Sequence, residues 1–225
     1  MIKQGRLKGY FVPLVALAFS LVSVNASTKT LTLDQLQSMW DIANFELSGD
    51  EQLASFDTLL EQVDALLSRI ETKQSSGSKA DALIWRGIIK SSYAGITGGL
   101  GALSLAKAAR KDLEEALQID SKALAGSAQT TLGSLYANVP GWPVGFGSAK
   151  KARTFLKQGV DLDPDGLDSN CFYGVFLLDE KEYSLAQTHL MHALEAQPRP
   201  GRKVADRGRR VEIQAALARV RDKLE

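Results

Sequence analysis

The strongest constraint in this sequence is a recurrence of 34 residues: Ala152, Leu156, Gly159 and Pro164 return as Ala186, Leu190, Ala193 and Pro198. The same frame reaches back to Ala109, Leu113, Ala116 and Ser121. Ahead of each of these helices stands another with its own small residue: Gly87 in Arg86-Gly87, Gly133 in Leu132-Gly133 with Tyr136 one turn on, and Gly174 in Tyr173-Gly174. The chemistry of these positions is packing. Alanine or glycine lets two helices approach closely, leucine fills the remaining gap, and proline, which lacks an amide hydrogen and clashes with the preceding turn, stops the second helix. A hairpin built this way keeps an apolar face that only the next hairpin can cover, so the units must stack.

From Leu31 onward apolar residues recur at spacings of three and four, without sustained alternation of period two, which predicts helices throughout. They are expected at about 33–45, 51–72, 80–94, 102–118, 123–137, 149–161, 169–178, 183–196 and 204–223. Ser-Gly, Gly-Gly, Pro-Gly and Pro-Asp-Gly clusters and the stretch 74–79 separate them. The repeat resembles the tetratricopeptide superfamily, most clearly over 167–198, less over 126–164 and least over 80–121. The expected fold is therefore all-α, an α-solenoid of tetratricopeptide-like helical hairpins with a C-terminal capping helix. Its expected order is a signal peptide (1–26), an N-terminal hairpin and linker (27–79), three repeats (80–203) and the capping helix (204–225).

The first 26 residues read as an export signal: Lys3, Arg6 and Lys8, an apolar run from Tyr10 to Val24, then Val24 and Ala26 before a cut at Ser27. The run is shorter than the roughly 20 residues of a spanning helix and contains Pro13. A lipid anchor would need a cysteine just after the cut, and the one cysteine is Cys171. A soluble, exported, periplasmic protein with no stable membrane anchor is expected, held by its apolar core without an internal disulfide. Its 44% hydrophobic and 24% charged residues suit a globular fold. Without Lys3, Arg6 and Lys8, 24 basic groups face 26 acidic ones, which argues against nucleic acid as a partner.

The hairpins differ in length. From the glycine of the first helix to the alanine of the second there are 12 residues in the last unit (Gly174 to Ala186), 19 in the middle one (Gly133 to Ala152) and 22 in the first (Gly87 to Ala109). The additions are expected in the turn inside each hairpin, and equivalent turns stack along one edge of a solenoid, so 95–101 should lie beside 139–147. Trp142, Val144 and Phe146 make the second of these too apolar for a solvated connector. The candidate ligand- or partner-binding residues are Trp142, Phe146, Tyr136, Leu100, Ile96 and Tyr93. Two readings stand: the aromatic residues plug the hairpin ends, or a cleft between the loops receives an apolar ligand or a partner segment. If the loops only plug, the inner helices offer Ile84, Ile88, Thr130 and Val175.

The segments Gly98-Gly99-Leu100-Gly101-Ala102-Leu103, Val139-Pro140-Gly141-Trp142-Pro143 with Gly145-Phe146-Gly147, and Asp163-Pro164-Asp165-Gly166 leading to Phe172-Tyr173-Gly174 resemble the T-component proteins associated with TRAP transporters. The resemblance covers about 80–210. It implies a periplasmic helical-repeat protein that assists solute uptake, with a substrate-binding protein as partner.

Motifs for catalysis or metal binding fall short. Asp161, Asp163, Asp165 and Gly166 open like a calcium loop, but the twelfth position, where a bidentate glutamate closes the oxygen cage, is Phe172. His189 and His192 share one helix with Glu195 and lack a further ligand. Gly95, Gly98, Gly99 and Gly101 follow no strand and lack the lysine of a phosphate-binding loop. Cys171, in the first helix of a repeat, is expected to be a packed thiol, His189 an exposed polar residue, and the arginine-rich stretch 199–210 a solvated cap or a docking patch. No cofactor or enzymatic activity is expected; the expected role is binding, of a protein or of a small apolar ligand between helices. The intact mass of the exported protein should correspond to a chain starting at Ser27; a mass retaining 1–26, recovered only with membranes, would contradict that.

Overall fold

A computed structural model of the chain describes residues 31–73 and 76–225; the expected signal peptide lies outside the described residues. The helices are α1 (Leu33–Phe45), α2 (Gly49–Lys73), α3 (Ser76–Thr97), α4 (Gly99–Ile119), α5 (Ser127–Asn138), α6 (Ala149–Leu162), α7 (Leu167–Asp179), α8 (Tyr183–Glu195) and α9 (Lys203–Leu224). Among the described residues there is no strand. Consecutive helices pack against one another, most extensively within the pairs α3/α4, α5/α6 and α7/α8. The odd-numbered helices also pack on each other in sequence, from α1 through α3, α5 and α7 to α9, so they form the inner row of an α-solenoid.

One small residue sets the distance within each hairpin. A Cβ added to Gly87 would stand 2.6 Å from Leu113 Cγ, one at Gly133 2.5 Å from Leu156 Cγ, and one at Gly174 2.7 Å from Leu190 Cγ. The three leucines are fully buried, as are Ala109, Ala116, Ala152, Ala186 and Ala193 beside them. Residues at these positions three and four apart line up on one face of each second helix, which is why the spacing shared by Ala109, Leu113 and Ala116 with Ala152, Leu156 and Gly159 and with Ala186, Leu190 and Ala193 produces three hairpins of the same kind, the last two of them 34 residues apart. α1, α2 and α3 share a further core of Trp40, Phe56, Leu59, Val63, Trp85 and Ile89.

The extra length of the first hairpin is helix and not loop. α3 continues to Thr97 and α4 starts at Gly99, leaving Gly98 alone between them. Gly98 and Gly99 have φ of 70° and 61°, which glycine adopts without a Cβ clash, so the chain reverses almost within one residue. The expected loop at 95–101 is thus a helical tip. In the second hairpin the addition is a true loop, drawn in by Gly147 N–H donating to Pro140 O at 3.0 Å and Ser148 N–H donating to Tyr136 O at 2.8 Å. α3 also takes in part of the expected linker. α5 starts later than its apolar spacing suggests, because Leu124, Ala125 and Gly126 all adopt positive φ before it.

The largest departure from a plain solenoid is at its ends. α9 packs on α7 and α8 as a cap would, but it also reaches α1, so the inner row closes on itself. Arg202 Nε and Nη2 donate to both carboxylate oxygens of Asp41 at 2.7 to 3.0 Å, and Arg207 pairs with Glu46. Gly208 lets the backbones meet, since a Cβ there would stand 2.6 Å from Phe45 Cγ.

Replacing Gly133 by alanine should lower stability by about 1 to 3 kcal/mol, the range for overpacking, against a helix-propensity gain of at most about 1 kcal/mol. Chemical denaturation measures it; an unchanged or raised midpoint would show that Leu156 yields freely.

Candidate functional site: a cavity inside the closed inner row

Closing five helices into a ring leaves more space at the centre than their side chains fill. The result is a cavity of about 840 Å³ whose lining comes from α1, α3, α4, α5, α7, α9 and the loop after α5. Its apolar lining includes Ile88 of α3, Leu103 and Ala106 of α4, Leu135 of α5, and Val139 of the loop. Among these stand the hydroxyls of Ser91, Ser92, Thr130, Thr131 and Ser134. Part of this polarity is already satisfied within the protein, since Trp40 Nε1 donates to Ser92 Oγ and Thr131 Oγ1 to the Ser127 carbonyl.

The floor is a compensated ionic network set by the start of α9. Arg199 donates to Asp168 at 2.6 Å and to Asp206 at 2.7 Å, and Arg209 donates to Asp168 at 2.8 Å and to Glu212. Arg202 lies 5.2 Å from the ring centre of Trp85 and 5.8 Å from that of Trp40, while Arg209 lies 4.5 Å from that of Phe172. These distances fit cation–π contact. Burial opposes ionisation of Asp168, but the guanidiniums of Arg209 and Arg199 outweigh it and hold the carboxyl well below the usual carboxylate range. Asp163, which also lines the cavity, is pushed upward by burial and by the negative charge of Asp168. The Trp85 Nε1 and Arg199 Nη2 groups, both on lining residues, are buried donors without an acceptor among the described residues.

The candidate residues from the sequence divide sharply. Leu100 lines the mouth of the cavity and Ile96 stands beside the lining residue Gly95. Tyr136 and Phe146 meet edge to face at 5.4 Å; Phe155 stacks on Tyr136, and Arg110 covers Phe146. That group plugs the end of the second hairpin. Trp142 belongs to neither the plug nor the lining and is 91% exposed. Tyr93 stacks on Phe56 and donates to Asp57, facing α2. Of the inner-helix positions, Ile88 and Thr130 line the cavity, Ile84 is in the core, and Val175 packs against it. The loop 139–147 meets α4 just beyond the expected segment, since a Cβ on Gly145 would stand 3.4 Å from Leu103 Cδ1, and Gly95, Gly99 and Leu100 share the cavity lining with Val139, Pro140 and Val144.

Several expectations change. Most of the arginine-rich stretch is not an open docking patch, because Arg199, Arg202 and Arg209 hold buried or half-buried carboxylates and Arg210 donates to the Leu194 and Ala196 carbonyls, while Lys203 and Arg207, which pairs with Glu46, are exposed. His189 is half-buried, bonded to Asn170 at 2.8 Å and set against Tyr173. The Asp163-Pro164-Asp165-Gly166 turn is closed by Ser169 Oγ donating to Asp163 O and Asn170 Nδ2 donating to Pro164 O. Among the described residues no group of three or more His, Cys, Asp or Glu side chains could hold a metal ion, and no helix is long and apolar enough to cross a membrane. Cys171 is buried, and its thiol is pushed up to about 12 by that burial. The floor residues Trp40, Asp41, Trp85 and Arg202 carry no repeat signature; the only sequence signal is the placing of polar groups on otherwise apolar inner helices. No protein-family model matches the chain, and no curated protein matches it.

Because the Asp168 carboxyl is held below its unfolded value, the stability it contributes is present above about pH 4 and lost as pH falls through the folded value. Asp168→Asn should therefore cost about 1 to 3 kcal/mol at pH 7, a figure reduced by partial solvent screening. The gap to the parent protein should narrow below pH 4; denaturation curves showing a constant gap would place the linkage elsewhere.

Proposed function

We propose that the protein is a non-enzymatic binding protein of the periplasm, which holds an elongated, mainly apolar molecule in the cavity of its closed inner row. The observation that carries this reading is the cavity itself. At about 840 Å³ it lies in the range of about 300 to 1,000 Å³ typical of small-molecule sites, and it joins an apolar wall at Leu103, Ala106 and Leu135 to hydroxyls and an ionic floor, so it can take a molecule with both an apolar and a polar part. The apolar part of the ligand lies against Leu103, Ala106 and Leu135, and its polar end lies toward the hydroxyls and the ionic floor. Cys171 is a buried core residue whose thiol is pushed up by that burial, so it packs the repeat and takes no part in the proposed site. On the resemblance to T-component proteins of TRAP transporters, the cavity serves solute uptake, and a periplasmic substrate-binding protein is the partner that exchanges the ligand. The tetratricopeptide-like repeats form the scaffold for this role.

Titration with the neutral fluorophore N-phenyl-1-naphthylamine tests the reading. The parent protein should bind it saturably, and Ser134→Trp, which fills the cavity from α5, should weaken binding about tenfold, or about 1.4 kcal/mol, with unchanged helical content. Equal affinity in a folded variant would move the site out of the cavity.

A further inference from the structure

The mouth of the cavity has a composition that the ligand site alone does not require. It lies between the α3–α4 tip and the loop after α5, both of which contribute lining residues. Residues 91–106 and 137–149 contain no charged side chain at all. Large apolar groups nevertheless face water there: Leu100 is 89% exposed, Trp142 91% and Val144 62%. Elsewhere the protein keeps its other two tryptophans, Trp40 and Trp85, buried. The tip does not gain this exposure by being loose, since α3 and α4 are helical up to Gly98 and the loop is closed by backbone hydrogen bonds.

Along the sequence the charges next to these segments are basic, and the acidic groups beside the loop, Asp179 and Glu180, come from the end of α7. From 91 to 111 the charged side chains are Lys107, Arg110 and Lys111; from 121 to 160 they are Lys122, Lys150, Lys151, Arg153 and Lys157, with no Asp or Glu in either span. Arg153 is held by Glu182 and Lys157 by Asp161, whereas Lys107, Lys111, Lys150 and Lys151 are exposed. An uncharged apolar rim with tryptophan at its edge and lysines behind it suits an interface whose inner part is hydrocarbon and whose outer part is anionic. Tryptophan favours the boundary between headgroups and acyl chains, and lysines near a bilayer are drawn to anionic lipids.

We propose that this rim is a docking surface for an anionic lipid bilayer, which brings the cavity mouth against the membrane so that an apolar ligand passes between the two without crossing water. Docking is peripheral, through Trp142, Leu100 and Val144, with Lys107, Lys150 and Lys151 contributing attraction. The ligand-exchange step rests on the cavity reading above; the docking step does not.

The test uses the exported protein, lacking residues 1–26, with vesicles of phosphatidylcholine alone or mixed with phosphatidylglycerol. Trp142 is the exposed tryptophan, so intrinsic fluorescence reports on the rim directly. Mixed vesicles should shift the emission to shorter wavelength and co-sediment the protein, and added salt should weaken the binding. Trp142→Ser and Leu100→Ser should each reduce co-sedimentation about tenfold, while Val211→Ser, which removes an exposed apolar group from α9, should not. Absence of binding to mixed vesicles overturns the proposal, and so does binding that the rim variants and Val211→Ser affect equally. Binding of N-phenyl-1-naphthylamine to Trp142→Ser in vesicle-free solution separates the two readings. Retained probe binding with lost docking supports both, and vesicle docking by a protein that never binds the probe overturns the cavity reading alone.

Discussion

Everything that distinguishes this molecule from an open helical array depends on the seam between α1 and α9. Arg202 bridges it, taking both oxygens of a nearly fully buried Asp41 while lying against Trp40 and Trp85. A buried ion pair of this kind adds little net stability over an apolar alternative, because desolvating two charges offsets most of their attraction. It does add specificity: a seam built of apolar groups alone could slide, whereas a bidentate guanidinium–carboxylate pair fixes one register. Gly208 under Phe45 sets the approach of the backbones in the same way that Gly87, Gly133 and Gly174 do within the hairpins.

The cavity follows from that closure. Helices spaced by a glycine–leucine contact pack densely in pairs, but a ring of five such helices has a centre that ordinary side chains do not reach. Its surface is apolar at Leu100, Leu103 and Ala106 of α4 and ionic at Arg199, Arg202 and Arg209, with hydroxyls among the lining residues of α3 and α5. Every arginine of the ionic end already faces a carboxylate, so the floor acts as a neutral polar surface and not as a free cation. A ligand with a long apolar part and a modest polar end suits that lining.

Much of the scaffold was legible in the sequence because it obeys a local rule. The spacing of Ala152, Leu156 and Gly159, and its return at Ala186, Leu190 and Ala193, encodes hairpins whose contacts lie within one or two turns of each helix. Arg86, which stands where an apolar residue is usual, was the visible anomaly; its guanidinium meets the buried Asp112 on α4 together with Lys90. The closure was not legible, since Asp41 and Arg202 are 161 positions apart and no spacing rule links them. Arg199, Arg202 and Arg209 therefore read as a solvated or docking surface when their partners are inside. The site was legible only at its rim, through apolar residues in the two long turns, and the glycines at 98 and 99 suggested a loop where they instead permit a near-immediate reversal between helices. Single-chain patterns report which face of a helix is buried, but not which distant helix buries it.

The most direct test of the account is a crystal structure of the protein lacking residues 1–26, grown with a long-chain amphiphile. The account predicts electron density for the chain between α3, α4 and α5, the polar end toward α9, and Arg202 still seated on Asp41. An open seam between α1 and α9, or ligand density only outside the ring with the cavity collapsed, would contradict it.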